Sequence, residues 1–217
     1  MLNGYVPSLI IIIATGFIFA LRWFCFSRRK LPVPPWFDKV FIVFIIAFAA
    51  MLEYAMGRIW VCKCGYIKWW HGVVFSSENS QHISDWYTFS HVIHGFGFYA
   101  LLWFFFRKMS LSLRLVIATM LETAWEVLEN TAMVIQRYRE VTISLDYFGD
   151  SILNSTMDTL AMVAGFTLAW RLPVWLVVVL TIIMEIGVAY FIRDNLTLNI
   201  IMLIYPFQAL LRWQAGG

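Results

Sequence analysis

"VWLVVVLTIIMEIGVAYFI", residues 174 to 192, runs for 19 residues with a single acidic or basic side chain, Glu185. As a helix it would cover roughly 28 Å, close to the hydrocarbon thickness of a bilayer. The run lacks the period-two alternation of a barrel strand, and in lipid only helices and closed barrels satisfy their own backbone groups, so it reads as a helix. Further segments of spanning length follow at about 5–26, 39–60, 88–107, 113–136, 151–171 and 196–212. The expected fold is all-α: a polytopic transmembrane bundle of about seven spans, or six if the last segment, interrupted by Pro206, does not cross.

Composition points the same way. Of the 217 residues, 61% are hydrophobic and 13% charged, about half the charge density of a soluble domain. The net charge of +3 is spread along the chain without a basic cluster, so nucleic acid is not an expected partner. The N-terminus lacks the basic region of a cleaved signal peptide and the first apolar run is followed by "SRRK", which predicts a retained signal anchor. Arg22, Arg28, Arg29, Lys30, Lys39, Arg107, Lys108, Arg114, Arg171 and Arg212 fall on one side of the seven-span arrangement. Arg58, Lys63, Lys68, Arg137, Arg139 and Arg193 fall on the other. The richer side is cytoplasmic by the positive-inside rule, which puts the N-terminus in the periplasm.

No repeat or linker divides the chain, so residues 1–217 read as one integral membrane domain with one external loop at about 61–87. That loop, "VCKCGYIKWWHGVVFSSENSQHISDWY", is aromatic, polar and long enough to suggest a function. Trp69, Trp70, Trp86 and Tyr87 suit the interfacial belt, so the loop is expected to lie as a lid against the outer leaflet. Cys62 and Cys64 form a Cys-x-Cys pair for which a disulfide, a turn or a pair of metal ligands all remain open. Cys25 stands far off, near the cytoplasmic end of the first span, and no zinc-ribbon spacing exists.

The candidate chemistry lies where ionisable side chains enter apolar helices. His91 and His94 are neighbours on one helical face, and "LETAWEVLEN" sets Glu122, Glu126 and Glu129 within an arc of about 60°. "GDSILNSTMD" does the same for Asp150, Asn154 and Asp158. Adjacent antiparallel helices would bring the two stripes together, with His91 and His94 level with Glu129 and Asp158. Each intramembrane acid costs at least about 2.5 kcal/mol, and the spans, away from their ends, offer these acids no lysine or arginine to pair with. Protons, histidinium or a divalent metal must supply the positive charge, with Arg137 and Arg139 neutralising part of the stripe from its outer end. The mixed nitrogen and oxygen set suits zinc, manganese or iron. His91, His94, Asp150 and Asp158 are the expected metal ligands. Glu126 or Glu129 is the general base, and His82 and Asp85 join the catalytic set if the helix breaks near Trp86 or Thr88. Glu122 and Asn154 complete the polar core.

Competing readings stay beside these. Asp85 also suits the N-cap of a helix starting near Trp86, and Ser90 is either a nucleophile or an N-cap. Glu53 and Glu185 read as packing hydrogen-bond partners, and Gly95, Gly97 and Gly165 as packing residues. Asp194 and Asn195 read as a solvated external turn.

The run "CGYIKWWHGVVFSSENSQHISDWYTFSHVIHGF", the glutamate stripe, "DYFGDSILNSTMD" and "RDNLTLNIIMLIYPFQALLRWQ" together resemble an uncharacterised alphaproteobacterial inner-membrane family, UPF0314. The resemblance covers about Met56 to Gln214 and implies a multi-pass inner-membrane location without a reaction. The functional expectation is an intramembrane metal-assisted hydrolase or group transferase acting on a lipid or other amphipathic envelope substrate from the periplasmic side. A proton-coupled transporter or channel, or a non-catalytic assembly protein, is the alternative.

Overall fold

A computed structural model of the chain describes residues 6–22, 33–34, 36–142 and 146–216. Cys25 and the basic residues Arg28, Arg29 and Lys30, on which the anchor and orientation readings lean, lie outside the described residues. The described residues are all-helical: α1 (Val6–Arg22), α2 (Phe37–Ala55), α3 (Thr88–Phe105), α4 (Leu111–Glu129), α5 (Ala132–Val141), α6 (Ile152–Arg171), α7 (Val174–Ile192), α8 (Leu196–Ile204) and α9 (Gln208–Gln214). They include no strand; one isolated bridge joins His71 to Asp85 within the 56–87 loop.

Helices α2, α3, α4 and α6 form the centre. Phe41 and Ile45 of α2 pack on Val116 of α4, while Leu102, Ala118, Met162 and Phe166 join α3, α4 and α6. Ile11 of α1 packs with Ala49, Ala124 and Val127. Helices α3 and α6 approach closely where Gly95 and Gly165 leave out the side chains that would hold the backbones apart.

Three expected helices end differently. The 113–136 segment breaks after Glu129, because Thr131 is extended and its hydroxyl accepts from Val134 N, starting α5 on a new axis. The 196–212 segment splits into α8 and α9 around Pro206, which has no N–H to donate and disfavours the helical conformation at Tyr205. The 39–60 segment stops at Ala55, where Gly57 turns the chain with φ +88°.

Helices α6 and α7 are long and apolar enough to cross a membrane by length and composition. On α7 the apolar side chains face outward: Val174 is 79% exposed, Ile186 65% and Tyr190 81%.

Asp194 corrects the expectation of a solvated turn. It is buried, accepts from Asn195 N (2.9 Å), Tyr87 Oη (3.2 Å) and Gln214 Nε2 (3.1 Å), and burial pushes its carboxyl up to about 6. It ties α9 and the start of α3 to the end of α7. Glu185 accepts from Leu196 N and Thr197 N, both at 3.1 Å, and so caps α8 with a negative charge.

Candidate functional site

The site is set by where α3 begins. Asp85 is buried within the 56–87 loop, its Oδ1 accepting from Tyr87 N (2.8 Å) and its Oδ2 from Ser80 N (3.1 Å). Burial raises its carboxyl pKa. This turn stands two residues ahead of the cap position, which Tyr87 occupies, so neither Asp85 nor Ser90 caps the helix through its side chain. Thr88, the first residue of α3, donates its hydroxyl to Asp158 Oδ1 at 2.9 Å. Since Asp158 is almost two turns into α6, α3 starts that deep.

His91 and His94 are therefore carried further inward than the sequence suggests, to Glu122 rather than to Glu129. His91 Nδ1 lies 2.7 Å from Glu122 Oε1, and His94 Nδ1 lies 3.1 Å from both Glu122 oxygens. On the other side of the His91 ring, Nε2 is 3.8 Å from Asp158 Oδ2. Glu126 Oε1 is 3.2 Å from His91 Nδ1, but that nitrogen has its closer partner in Glu122. Both Glu126 oxygens are left without a hydrogen-bond donor among the described residues, although the residue is only 1% exposed.

A second group lies toward the loop. Carboxylate oxygens of Glu126, Glu129 and Asp150 come within 4.8 Å of one another. Asp150 accepts from Asn130 Nδ2 (3.1 Å) and Tyr147 Oη (3.0 Å), and its own N–H donates to Asn130 Oδ1 at 2.7 Å. Burial pushes the Asp150 carboxyl up to about 6. Gly149 aims it: its φ of +91° is in the left-handed region, and a Cβ there would stand 2.5 Å from Arg58 Nη1.

A cavity of about 280 Å³ joins the two groups. His91, His94, Glu122, Glu129, Asp150 and Asp158 line it, as do Ser90, Tyr87, Tyr138 and Tyr147. Phe98, Trp125 and the α8 residues Leu196, Ile200 and Leu203 supply its apolar surface. Tyr138 Oη donates to Asn199 Oδ1 of α8 at 3.1 Å, tying that wall to α5.

Other residues singled out from sequence go elsewhere. Asn154 Nδ2 donates to the His82 carbonyl at 3.0 Å and fastens the loop to α6. His82 and Asp85 do not line the cavity. His82 belongs to a network within the loop, with Nδ1 accepting from Lys68 N (3.3 Å) and Nε2 lying 3.1 Å from Glu78 Oε2. Lys68 Nζ (2.6 Å) and Tyr66 Oη (2.7 Å) also donate to Glu78, and these bonds, that of Lys68 first, hold its carboxyl down at about 2. Arg137 and Arg139 spend their guanidinium groups on the carbonyls of Leu203 and Tyr147 rather than on the glutamate stripe, because the break at Asn130 turns α5 off the α4 axis. Cys62 and Cys64 are joined by a disulfide.

Several members carry no periodic sequence signal. His71, which contacts Lys68 Nζ at 3.2 Å, and Glu78 sit in irregular chain. Tyr138 and Tyr147 reach the cavity only after the chain has turned twice. Leu196, Ile200 and Leu203 do share a helical face, and that spacing, i, i+4, i+7, was available to be read.

The comparisons with known proteins agree on one family. A family model described as a protein of unknown function (DUF2585) matches residues 53–216. A UPF0314 protein of Sinorhizobium fredii is 58% identical over 181 residues, covering 83% of this chain and 92% of that protein. One of Rhizobium meliloti is 59% identical over 172 residues, 79% and 87% of the two chains. One of Paracoccus denitrificans is 52% identical over 191 residues, 88% and 96%. No solved structure matches.

Proposed function

The chain belongs to the DUF2585 family, and we propose that it is a multi-pass inner-membrane enzyme, a metal-assisted hydrolase or group transferase working on a lipid or other amphipathic envelope substrate from the periplasmic side. The membrane part of this reading rests on the outward apolar side chains of α7, which water would penalise at about 25 cal/mol per Å², and on the exposed Phe104, Phe105, Trp175 and Phe191. In the bilayer, α1 to α4, α6 and α7 each cross, six spans in all, while the broken α8–α9 pair returns to the side it starts from, since Gln214 Nε2 at its end reaches Asp194 Oδ1 at its beginning at 3.1 Å.

The observation that carries the chemistry is the meeting of His91, His94 and Glu122 beside the donorless carboxylate of Glu126. Ligand atoms around zinc stand roughly 3.3 Å apart in tetrahedral geometry, and these three residues present theirs at 2.7 and 3.1 Å. Asp158, behind His91 Nε2, then orients the imidazole as carboxylates do behind metal-bound histidines, which moves it out of the ligand set expected from sequence. A zinc, manganese or iron ion there would polarise a water molecule or substrate hydroxyl. Glu129, which lines the cavity, takes the proton as oxygen attacks the acyl or phosphoryl centre, and returns it to the departing oxygen as that bond breaks. The α8 wall holds the apolar part of the substrate.

Elemental analysis of purified, chelator-washed protein against His91→Ala/His94→Ala tests the reading. Near-stoichiometric metal in the wild type and its loss in the folded variant is the expected result. A metal-free, folded wild type that takes up no added zinc, manganese or iron overturns it, and pH-dependent proton flux in vesicles would then favour a relay through the same carboxylates.

A further inference from the structure

We infer that this site holds two divalent cations rather than one, the second bound by Glu126, Glu129 and Asp150. The inference rests on the metal reading of His91, His94 and Glu122, and Glu129 binds the second ion through one oxygen, leaving the other to take the proton. It starts from the fact that the two groups of donors share no residue, yet His91 Nδ1 in the first is 3.2 Å from Glu126 Oε1 in the second.

Charge favours a second ion. Five carboxylates meet here: Glu122, Glu126, Glu129, Asp150 and Asp158. None of the described residues lining the cavity is a lysine or arginine, and Arg58, Arg137 and Arg139 are engaged with the carbonyls of Phe148, Leu203 and Tyr147. A single divalent ion on neutral imidazoles leaves a net charge of about −3 in surroundings where each uncompensated charge is expensive. A second brings the cluster to about −1, which one retained proton balances.

Hydrogen bonding says where the second ion goes. Asp150 has donors in Asn130 and Tyr147, whereas Glu126 has none for either oxygen and is 1% exposed. A buried carboxylate that receives no hydrogen bond is satisfied by a cation on each side, the position of a bridging ligand between paired metal ions, which stand about 3.5–4 Å apart in such centres. The donor sets also differ in kind. Two imidazoles and a carboxylate suit zinc or iron, while the all-oxygen set of Glu126, Glu129 and Asp150 suits manganese or magnesium, so manganese is the ion both sites accept.

The test is manganese loading of the full-length, detergent-solubilised protein after chelation. Bound metal is counted by mass spectrometry and low-temperature paramagnetic resonance reports spin coupling. The wild type should hold two ions per chain with an exchange-coupled spectrum. Glu129→Gln/Asp150→Asn should hold one, with an isolated-ion spectrum, and Glu126→Gln should weaken the coupling. The wild-type spectrum decides the matter even if the double variant does not fold. One uncoupled ion in the wild type, lost in His91→Ala/His94→Ala, overturns the second site and leaves the proposed function standing. Two ions without coupling also overturn it, since they would be too far apart to share Glu126. No bound manganese, zinc or iron overturns both readings.

Discussion

Gly95 and Gly165 face each other's helices at the crossing of α3 and α6. A Cβ on Gly165 would stand 2.2 Å from the Val92 carbonyl oxygen, and one on Gly95 2.2 Å from that of Met162. The obstacle in both cases is backbone, which cannot swing aside. His91 precedes Val92, and Asp158 is one turn before Met162. The 3.8 Å approach of His91 to Asp158 is therefore a product of this crossing.

Gly165→Ala should force α3 and α6 apart and cost about 1–3 kcal/mol, the usual penalty for overpacking. Gly97, in the same helix, has nothing within 4 Å of an added Cβ, and Gly97→Ala should be neutral or stabilise by up to about 1 kcal/mol. Thermal melting of the two variants in detergent checks this. Equal melting temperatures would contradict the close crossing.

How much of this could be read from the sequence differs by level. Helix-period patterning exposed the stripes Glu122–Glu126–Glu129 and Asp150–Asn154–Asp158, because period is a local property. Depth is not local: that His91 meets Glu122 depends on how far the 56–87 loop carries Thr88 down α6 before α3 begins, and nothing in "SHVIHGF" encodes that. Asn154 shows the limit of face reasoning. It shares a face with Asp158 yet binds the His82 carbonyl, since the loop reaches it first. Asp194 looked solvated because its neighbours are polar; Tyr87 and Gln214, which bury it, arrive from 107 residues before and 20 after.

Ser155 Oγ donates to Glu53 Oε1 at 2.6 Å between α6 and α2, both groups buried. Ser155→Ala removes that donor and should destabilise by about 1–3 kcal/mol. Ser155→Ala/Glu53→Leu, which removes the polar pair together, should recover much of the loss in a double-mutant cycle followed by thermal melting. Additive losses would mean the two residues do not interact.

The pH profile should have two opposed arms. Burial raises the Asp194 pKa in the fold to about 6, so the folded state holds a proton that the unfolded chain releases near 3.8. Its effect favours folding at low pH and is lost as pH rises from about 4 through about 6. Glu78 has the opposite sign: held at about 2 against an ordinary 4.5, it stabilises above 4.5 and loses that effect as pH falls toward 2. Melting temperatures across pH should show Asp194→Asn flattening the upper arm and Glu78→Gln the lower. An unchanged profile in either variant would remove the group concerned.

Asp158→Asn separates a positioning carboxylate from a ligand. If Asp158 acts through His91, the variant should keep the metal count of the wild type while affinity falls about 10–100-fold, as for other outer carboxylates behind metal-bound histidines. Competition with a fluorescent chelator measures this. Complete loss of one ion would make Asp158 a direct ligand instead.

Apart from Asn199, the cavity's polar side chains come from residues 79 to 158, and much of its apolar wall comes from the nine residues of α8. Helix α8 is held at its first turn by Glu185 and at its last by Arg137 on the Leu203 carbonyl, and neither contact involves a side chain that lines the cavity. On the proposed function, reactivity and selectivity would reside in separate stretches of one polypeptide. A lineage can exchange Leu196, Ile200 or Leu203 to accept chains of another length or branching while the reacting groups stay untouched, so divergence in what is processed would be written in the tail before it reached the centre.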